Sequence, residues 1–371
     1  MSQRDFTPLM VPDIIEKDIN EVVNVLKSKM LVQGVKVQEL ETKISEYLKV
    51  KHAIAVSNGT ASLHLALVAL GIEKGDEVIV PALSYIASAN VIELVGAKPI
   101  FVDVVLDNFN IDVRKVEAKI TNKTKAILTV HEFGLCSNLT ALKEISDKYK
   151  LYLIEDSACA LGAKHNEYFS GTIGDIGSFS FHPRKAITSG EGGLVVTNND
   201  DIAKKIRSLR NHGIEIIDNK MEFPIAGFNY RLTDIQAALV LSQFERFNSI
   251  LAKKKELARI YTETLKDCKN IVTPKLDDNH TWQTYHVVVD KRDDVILQLK
   301  EAGIGSNYGA QCIPNEIFYK NKYQLDSSKE FPNALKANTN GLALPLYERL
   351  SEKDIIYIAK KLVDILNKQQ I

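Results

Sequence analysis

The amino-acid sequence predicts an α/β fold with a mostly parallel sheet, and three observations lead to this fold class. Short apolar runs alternate with helical patterns through the first half of the chain, which is typical of parallel sheets with helical crossovers. Runs such as LYLI at residues 151–154 are apolar at every position, as expected for strands covered on both faces. The 371 residues, 45% of them hydrophobic, are enough for two or three domains with large cores.

The alternation begins with a strand at residues 53–56, which the turn Ser57–Thr60 follows. Residues 61–70 (ASLHLALVAL) are strong helix formers, and Gly71 ends this helix. Further along, the pattern predicts strands at 77–80, 98–104, 125–130 and 151–156 and helices at 86–95 and 139–150. These elements are expected to form the sheet and the helices that cover it.

After Lys185 the pattern changes. It predicts one more strand at 193–198, helices at 200–211 and 233–266, a strand at 285–289, and helices near 293–302 and 351–367. The helix over 233–266 is long enough to link two domains, and the elements after it indicate a smaller α+β unit. We therefore predict a large domain over residues 1–250, which includes the N-terminal segment, and a small C-terminal domain over residues 251–371.

Composition and charge exclude several classes of protein. Lys+Arg and Asp+Glu number 47 each, and no long basic stripe is present, which argues against a dedicated nucleic-acid-binding protein. No apolar run is long enough to span a membrane, and the N-terminal sequence lacks a secretory pattern. The four cysteines are scattered without a CxxC pair, so we expect neither a metal site nor a disulfide framework, and we expect a cytoplasmic protein.

The segment SNGTASLHLALVAL, residues 57–70, is the first candidate binding element. A small-residue turn between a strand and a helix places backbone N–H groups and the positive end of the helix dipole at one point, which suits a phosphate group. Thr60 adds a hydroxyl donor. No Gly-Lys-Ser/Thr follows, so the segment is not a P-loop. A turn that only caps the helix is the alternative interpretation.

Asp156 is the second candidate, because it ends the apolar strand LYLIED. Ligands of open α/β sheets bind beyond the carboxyl ends of the strands. A buried carboxylate there is expected to hold a cationic group, since an unpaired buried charge is costly. The alternative is that Asp156 caps the following turn.

The third candidate is Lys185, within GSFSFHPRKAITSGEGGLVV. Small and aromatic residues alternate up to Phe181, His182-Pro183 ends the strand, and a glycine-rich return follows the lysine. This constrained turn can direct the amine inward. A lysine amine held near apolar and cationic neighbours has a lowered pKa and can form a Schiff base. The alternative is an ordinary solvated surface lysine.

Together these motifs resemble the sugar aminotransferases of the DegT/DnrJ/EryC1/StrS family, which are pyridoxal-phosphate enzymes. The resemblance runs through SNGTASLHLAL, PALSYIASAN, EDSACALGA, GSFSFHPRKAITSGEGG, GFNYRLTDIQAAL and LALPLYERLSEKD, and so covers almost the whole chain. It implies the aspartate-aminotransferase fold (fold type I), with a mostly parallel seven-stranded sheet in the large domain and a small C-terminal α+β domain. It also implies pyridoxal 5′-phosphate as the cofactor.

The resemblance assigns roles residue by residue. Lys185 matches the lysine that binds the cofactor covalently and moves protons, and Asp156 matches the carboxylate beneath the pyridine nitrogen. Tyr85 matches the aromatic residue that stacks on the cofactor ring. Asn229 matches an asparagine that reaches the phosphate in the neighbouring subunit, which implies a homodimer with shared active sites. The phosphate cradle is matched by Gly59, Thr60, Ala61 and Ser180.

Three features separate this chain from family patterns. Cys159 occupies a position near the ring hydroxyl where the family often has Gln or Glu, and sulfur is a weak hydrogen-bond partner. Pro314 stands where many relatives carry a histidine near the sugar. Relatives that dehydrate their sugar replace the lysine by histidine, whereas this chain keeps Lys185.

The implied activity is transfer of an amino group from L-glutamate to a nucleotide-linked keto-deoxy sugar, with a 4-keto-6-deoxyhexose as the first candidate substrate. The product would be an amino sugar for a surface polysaccharide such as O-antigen or for a glycosylated metabolite. The alternatives are a 3-keto sugar substrate, a pyridoxal-phosphate-dependent sugar dehydratase, and a non-catalytic binding protein that keeps the fold. His131 is a further candidate for the pocket wall.

Overall fold

A computed structural model describes residues 6–368. The described residues do not include 1–5 and 369–371. These are the outer ends of the two predicted domains, and the first of them is the start of the N-terminal sequence. The α-helices are α1 (Glu16–Ser28), α2 (Val35–Leu48), α3 (Gly59–Ala69), α4 (Ala87–Leu94), α5 (Leu139–Tyr149), α6 (Asp200–Arg210), α7 (Asp234–Phe244), α8 (Phe247–Leu265), α9 (Arg292–Glu301), α10 (Ile317–Tyr323), α11 (Ser327–Glu330), α12 (Pro332–Asn340) and α13 (Glu352–Lys368).

The strands are short, as the sequence predicts. They are β1 (His52–Val56), β2 (Glu77–Pro81), β3 (Leu83–Ser84), β4 (Lys98–Val102), β5 (Thr124–Val130), β6 (Tyr152–Asp156), β7 (Lys164–His165), β8 (Tyr168–Phe169), β9 (Ile176–Ser180), β10 (Gly193–Thr197), β11 (Glu215–Ile217), β12 (Lys220–Glu222), β13 (Ile271–Val272), β14 (Tyr285–Val289), β15 (Gln311–Cys312) and β16 (Gly341–Leu344). Among residues 6–368, no helix combines the length and apolar character needed to cross a membrane.

A seven-stranded sheet with the order β1-β10-β9-β6-β5-β2-β4 forms the centre of the fold. Strand β10 is antiparallel to both of its neighbours, while the contacts between β9, β6, β5, β2 and β4 are parallel. Successive side chains enter different cores, since Ile54 and Val56 pack with α3 and α6 whereas Ala53 and Ala55 pack with α2 and α7. The predicted mostly parallel α/β sheet with helices on both faces is confirmed.

Two details of the helix prediction need correction. Residues 233–266 form two helices, because α7 ends at Phe244 and α8 starts at Phe247. Between them the Arg246 guanidinium donates hydrogen bonds to both carboxylate oxygens of the buried Asp18 on α1, at 2.9 and 2.8 Å. This anchor fixes the bend, so that α7 packs beside α1 and α2 while α8 continues to a different core. Five helices are absent from the sequence prediction, namely α1, α2, α10, α11 and α12.

A second core lies in the C-terminal part of the chain. It contains side chains of α8, α9 and α13 packed on β14 and β16. The N-terminal segment joins this core, because Met10 and Val11 pack against it. The segment is also held by backbone hydrogen bonds of 2.8 Å, from the Thr7 N–H to the Gly303 carbonyl and from the Gly305 N–H to the Thr7 carbonyl. The domain division at residue 250 stays a prediction.

Candidate active site

The carboxyl ends of parallel strands β6 and β9 meet at one edge of the sheet. At this edge Asp156 lies beside Ser178. The antiparallel strand β10 brings Gly193 next to Ser180 on one side and next to Val56 on the other. The candidate residues at the ends of β1, β6 and β9 therefore lie close together at this edge. Ligand-binding residues of open α/β sheets lie at the same place.

The turn before α3 is the predicted phosphate-binding element. Asn58 caps the helix, because its side-chain oxygen accepts a hydrogen bond from the Ala61 N–H at 2.8 Å. Gly59 lies against Ser180, and a Cβ atom at position 59 would lie 2.9 Å from the Ser180 Cβ. Thr60 is exposed in the first turn of the helix. The capping interpretation is thus correct for Asn58, and the remaining residues form an open helix N-terminus that favours an anion.

Asp156 is only 5% exposed. Its Oδ2 accepts a hydrogen bond from the Ser88 hydroxyl at 2.8 Å, and its Oδ1 accepts one from the Ala158 N–H at 3.1 Å. The carboxylate therefore does cap the following turn, as the alternative interpretation expected. Both donors are neutral and burial raises the pKa of Asp156, so an added cationic partner would stabilise its ionised form.

Lys185 points its amine into a small cavity. Its Nζ donates a hydrogen bond to the Cys159 Sγ at 3.1 Å. Ser180 lines the same cavity, and Thr281 and Gln283 close it from the C-terminal part of the chain. The structure therefore brings together three of the predicted site residues, the lysine, the cysteine and the serine, in one pocket.

The pKa of Lys185 is raised, whereas the sequence analysis predicted a lowered one. Burial by itself lowers this pKa, but the sulfur of Cys159 and the carboxylates of Asp156 and Glu132 favour the ammonium form and outweigh it. The prediction was wrong because these acidic neighbours come from other strand ends, which the sequence around the lysine does not reveal.

Residues 280–284 form a wall that the sequence analysis missed. The Gln283 N–H donates to the Phe133 carbonyl at 2.8 Å, and the Thr281 N–H donates to the Gly134 carbonyl at 3.0 Å. The Gln283 side-chain amide donates to the Arg184 carbonyl, directly before the lysine. The wall thus holds the turn that carries Lys185. No motif in the sequence marks it.

The opposite side of this wall faces a second cavity, of about 340 Å³. His280, Trp282 and Thr284 line it, alternating with Thr281 and Gln283 on the active-site side. The segment is irregular, because Trp282 has a φ of 54° and β14 begins only at Tyr285. The wall therefore separates two cavities with one layer of backbone.

Glu132 lines the second cavity and is 6% exposed. Among residues 6–368, its Oε2 atom has no hydrogen-bond partner. Burial raises the pKa of Glu132 to about 8, and the negative charge of Asp156 adds to this effect while the charge of Lys185 opposes it. Glu132 is therefore protonated at neutral pH.

We expect the substitution Glu132→Gln to stabilise the folded protein at pH 8 but not at pH 4.5. An unfolded glutamate ionises near pH 4.5 and the folded one near 8, so the wild-type protein loses folding free energy progressively between these values, about 5 kcal/mol in total. Above pH 8 the difference in free energy of unfolding between Glu132→Gln and the wild-type protein stays constant. Urea unfolding of the two proteins at pH 5, 6.5 and 8 measures it. The control is Glu301→Gln at the exposed end of α9, and a stability difference independent of pH would contradict the assignment.

His131 has a structural role rather than a place in the pocket wall. It follows β5 and is fully buried. Its Nε2 is paired with the Glu155 carboxylate at 2.8 Å, and its Nδ1 accepts a hydrogen bond from the Ser137 N–H at 3.2 Å. Glu155 also accepts backbone N–H bonds from Gly171, Ile173 and Gly174. This network fixes the strand ends behind the pocket.

Tyr85 and Asn229 lie at the surface. Tyr85 is 65% exposed and directly follows β3. Asn229 is exposed in the segment before α7 and forms a backbone bridge with Asn211. The structure does not place either side chain against Lys185 or Asp156, and their roles stay predictions.

Comparisons with known proteins agree with this geometry. Residues 12–363 match the model of the DegT/DnrJ/EryC1/StrS aminotransferase family. The chain is 40% identical over 336 residues to GDP-perosamine synthase of Caulobacter vibrioides, covering 88% of this chain and 89% of that protein. It also superimposes on the Streptococcus pneumoniae protein Spr1654 in its PLP form, with a TM-score of 0.92, 31% identity, and 98% of this chain and 99% of that chain covered.

A second solved structure is Helicobacter pylori PseC, an aminotransferase involved in the biosynthesis of pseudoaminic acid. Its TM-score is 0.93 at 28% identity, with 98% of this chain and 100% of that chain covered. These likenesses confirm the predicted aspartate-aminotransferase-like fold and the prediction that the chain is an enzyme that transfers amino groups. The chain belongs to the DegT/DnrJ/EryC1/StrS aminotransferase family.

Proposed function

We propose that this aminotransferase moves an amino group from L-glutamate to a nucleotide-linked keto-deoxy sugar, most simply a 4-keto-6-deoxyhexose. One observation carries the proposal: the amine of Lys185 lies in a pocket at the sheet edge where the carboxylate of Asp156 ends β6. The likeness to GDP-perosamine synthase supports the sugar substrate and a role in O-antigen synthesis. The cysteines, which lack a CxxC pair, support a cytoplasmic location.

The cofactor is pyridoxal 5′-phosphate, and the residues present fit it. A Cβ atom at Gly59 would fill the space beside Ser180, so glycine leaves the N-terminus of α3 open to a phosphate. Asp156 is a buried carboxylate with only neutral donors, which suits a protonated ring nitrogen. When bound, the cofactor supplies a carbonyl that takes up the amino group and a cationic ring that withdraws electrons.

The chain's own residues would then act as follows. The Lys185 Nζ accepts and returns a proton as general base and acid at the carbon atoms that exchange the amino group. Asp156 stabilises positive charge, and the Ser88 hydroxyl holds its carboxylate in place. Ser180 and the helix N-terminus bind the phosphate, and Gln283 fixes the backbone before the lysine.

The experiment that tests the activity is a panel of GDP-, dTDP- and UDP-linked 4-keto-6-deoxy and 3-keto-6-deoxy sugars with L-glutamate. We expect 2-oxoglutarate and a 4-amino sugar, identified by mass spectrometry and NMR. A 3-amino product would favour the 3-keto alternative. A dehydrated sugar without nitrogen would favour the dehydratase. If glutamate causes no change in the cofactor's absorbance and no product forms, the chain is a binding protein.

A homodimer with shared active sites is part of the proposal. The hairpin of β11 and β12 presents apolar side chains to solvent, with Ile216 68% and Met221 62% exposed, and Phe223 beside it is 61% exposed. Exposed apolar groups of this kind are typical of an interface. Asn229, exposed nearby in the chain, is assigned to the partner's phosphate site by resemblance alone.

We expect Asn229→Ala to weaken binding of pyridoxal phosphate about tenfold while leaving the dimer intact, because one charge-assisted hydrogen bond is lost. Equilibrium dialysis gives the dissociation constant, and light scattering gives the mass. Asn321→Ala, at an exposed position of α10, is the matched control. A monomeric wild-type protein with full activity would refute the shared site.

A further inference from the structure

Cys159 and Lys185 form a contact with chemistry of its own. Their Sγ and Nζ atoms are 3.1 Å apart, and both side chains line one pocket. Neither residue is fully buried as a whole, although the sulfur and the amine lie in a small cavity that both side chains line. A thiol and a primary amine are thus held together in one pocket.

The contact favours reaction at sulfur. A thiolate is the reactive form of cysteine, and a neighbouring ammonium stabilises it. Burial raises the pKa of Cys159, while the positive charge of Lys185 acts in the opposite direction. Because the pKa values of Cys159 and Lys185 are both raised, the fractions of reactive thiolate and of free amine increase only as the pH becomes distinctly alkaline.

The other cysteines lack this arrangement. Cys136 is held protonated, since burial raises its pKa strongly. Cys312 is fully buried, and burial raises its pKa to about 11. Cys268 packs against the second core. These thiols serve as internal controls.

We propose that Cys159 and Lys185 are a modification site, at which hydrogen peroxide joins the two side chains of the cofactor-free enzyme by a sulfur–nitrogen bond. In the first step the thiolate attacks peroxide: an S–O bond forms, the O–O bond breaks, and hydroxide leaves and takes up a proton. The product is a sulfenic acid at Cys159.

In the second step the free amine of Lys185 attacks this sulfur. The S–N bond forms, the S–O bond breaks, and water leaves with one proton from the amine. Sulfur loses two electrons in total, and one peroxide is reduced to two waters. Two molecules of an added thiol reverse the reaction: the first breaks the S–N bond by forming a mixed disulfide, and the second releases Cys159.

The bond removes the amine from other uses. An amine joined to sulfur cannot bind the cofactor, so the linked protein is expected to lose cofactor binding until thiol is added. The loss of cofactor binding rests on the proposed role of Lys185, whereas formation of the sulfur–nitrogen bond does not. An experiment can therefore contradict either claim without contradicting the other.

The test uses the full-length, cofactor-free protein treated with hydrogen peroxide at a series of pH values from 8 to 10. We expect the intact mass to fall by two hydrogen atoms and a tryptic digest to contain a peptide that joins Cys159 to Lys185, with both changes reversed by dithiothreitol. Cys159→Ser and Lys185→Arg should give no linked peptide, and Cys136→Ser should give the wild-type yield. The cofactor-loaded protein should resist linking.

Two outcomes would overturn the proposal. One is a gain of oxygen atoms at Cys159 without any linked peptide, which would show that the amine does not reach the oxidised sulfur. The other is an unchanged Cys159. If the linked peptide forms and the linked protein still binds the cofactor normally, the modification site stands and the proposed role of Lys185 fails.

Discussion

Lys185→Ala is expected to lower the rate of amino transfer by at least about 10³-fold, the larger end of the range for loss of a general acid–base group. Lys185 is the lysine that lines the pocket with Cys159 and Ser180, and the charge of Asp156 acts on its amine. The variant should also lack the cofactor absorbance band that borohydride removes from the wild-type protein. Stopped-flow measurement of the half-reaction with L-glutamate gives the rate, and absorbance spectra give the state of the cofactor.

The fold should survive this substitution, because within residues 6–368 the Lys185 side chain makes a single hydrogen bond, to Cys159. Circular dichroism and the unfolding midpoint check this point. Lys204→Ala, on the exposed face of α6, is the control for removal of a lysine. A Lys185→Ala protein that retains a tenth of the wild-type rate would disprove the assigned role.

Asp156→Asn has the second largest expected effect, a loss of about 10²–10³-fold in kcat. The amide keeps the size of the carboxylate: its oxygen can still accept the hydrogen bond from the Ala158 N–H, and its NH2 group can donate to the Ser88 hydroxyl oxygen. It loses the negative charge, so a protonated ring nitrogen beside it is no longer stabilised. We expect the variant to retain part of its cofactor, because the phosphate contacts are untouched. Steady-state kinetics and cofactor titration separate these two effects.

Ser88→Ala is the matched variant for this prediction. It removes the hydroxyl that holds Asp156 and leaves the charge in place. Its kcat should fall by about tenfold, as expected when one hydrogen bond from a hydroxyl to a carboxylate, worth about 1.5 kcal/mol, is lost. Near-normal turnover in Asp156→Asn would show that the carboxylate charge is not needed.

Much of the sheet could be predicted from the sequence because local patterns determine it. The run at residues 151–154 is apolar at every position, and helix 61–70 carries its own stop signal at Gly71. The break between α7 and α8 could not be predicted in this way, since no glycine or proline marks it and its cause is the ion pair of Arg246 with Asp18, 228 residues away. Helix α2, by contrast, has the periodic apolar positions Val37, Leu40, Ile44 and Leu48, so its signal was present.

The active site also contains residues that local sequence patterns reveal and residues that only distant contacts define. Asp156 and Lys185 could be predicted because strand ends in a parallel sheet share one edge, and each residue follows its own strand. Ser88, Thr281 and Gln283 carry no local signal, because their roles depend on contacts across 68 to 122 residues of sequence. The pKa of Lys185 was misjudged for the same reason.

The route of the N-terminal segment has a consequence for how the protein denatures. Thr7, Met10 and Val11 complete a core made otherwise from the end of the chain, and residues 281 and 283 tie that core to the turn after β5. The C-terminal core therefore depends on contacts with residues from the N-terminal part of the chain. For this reason residues 251–368 produced alone would not be an autonomous folding unit. The intact chain should instead melt in one cooperative calorimetric transition, with both cores lost at the same temperature.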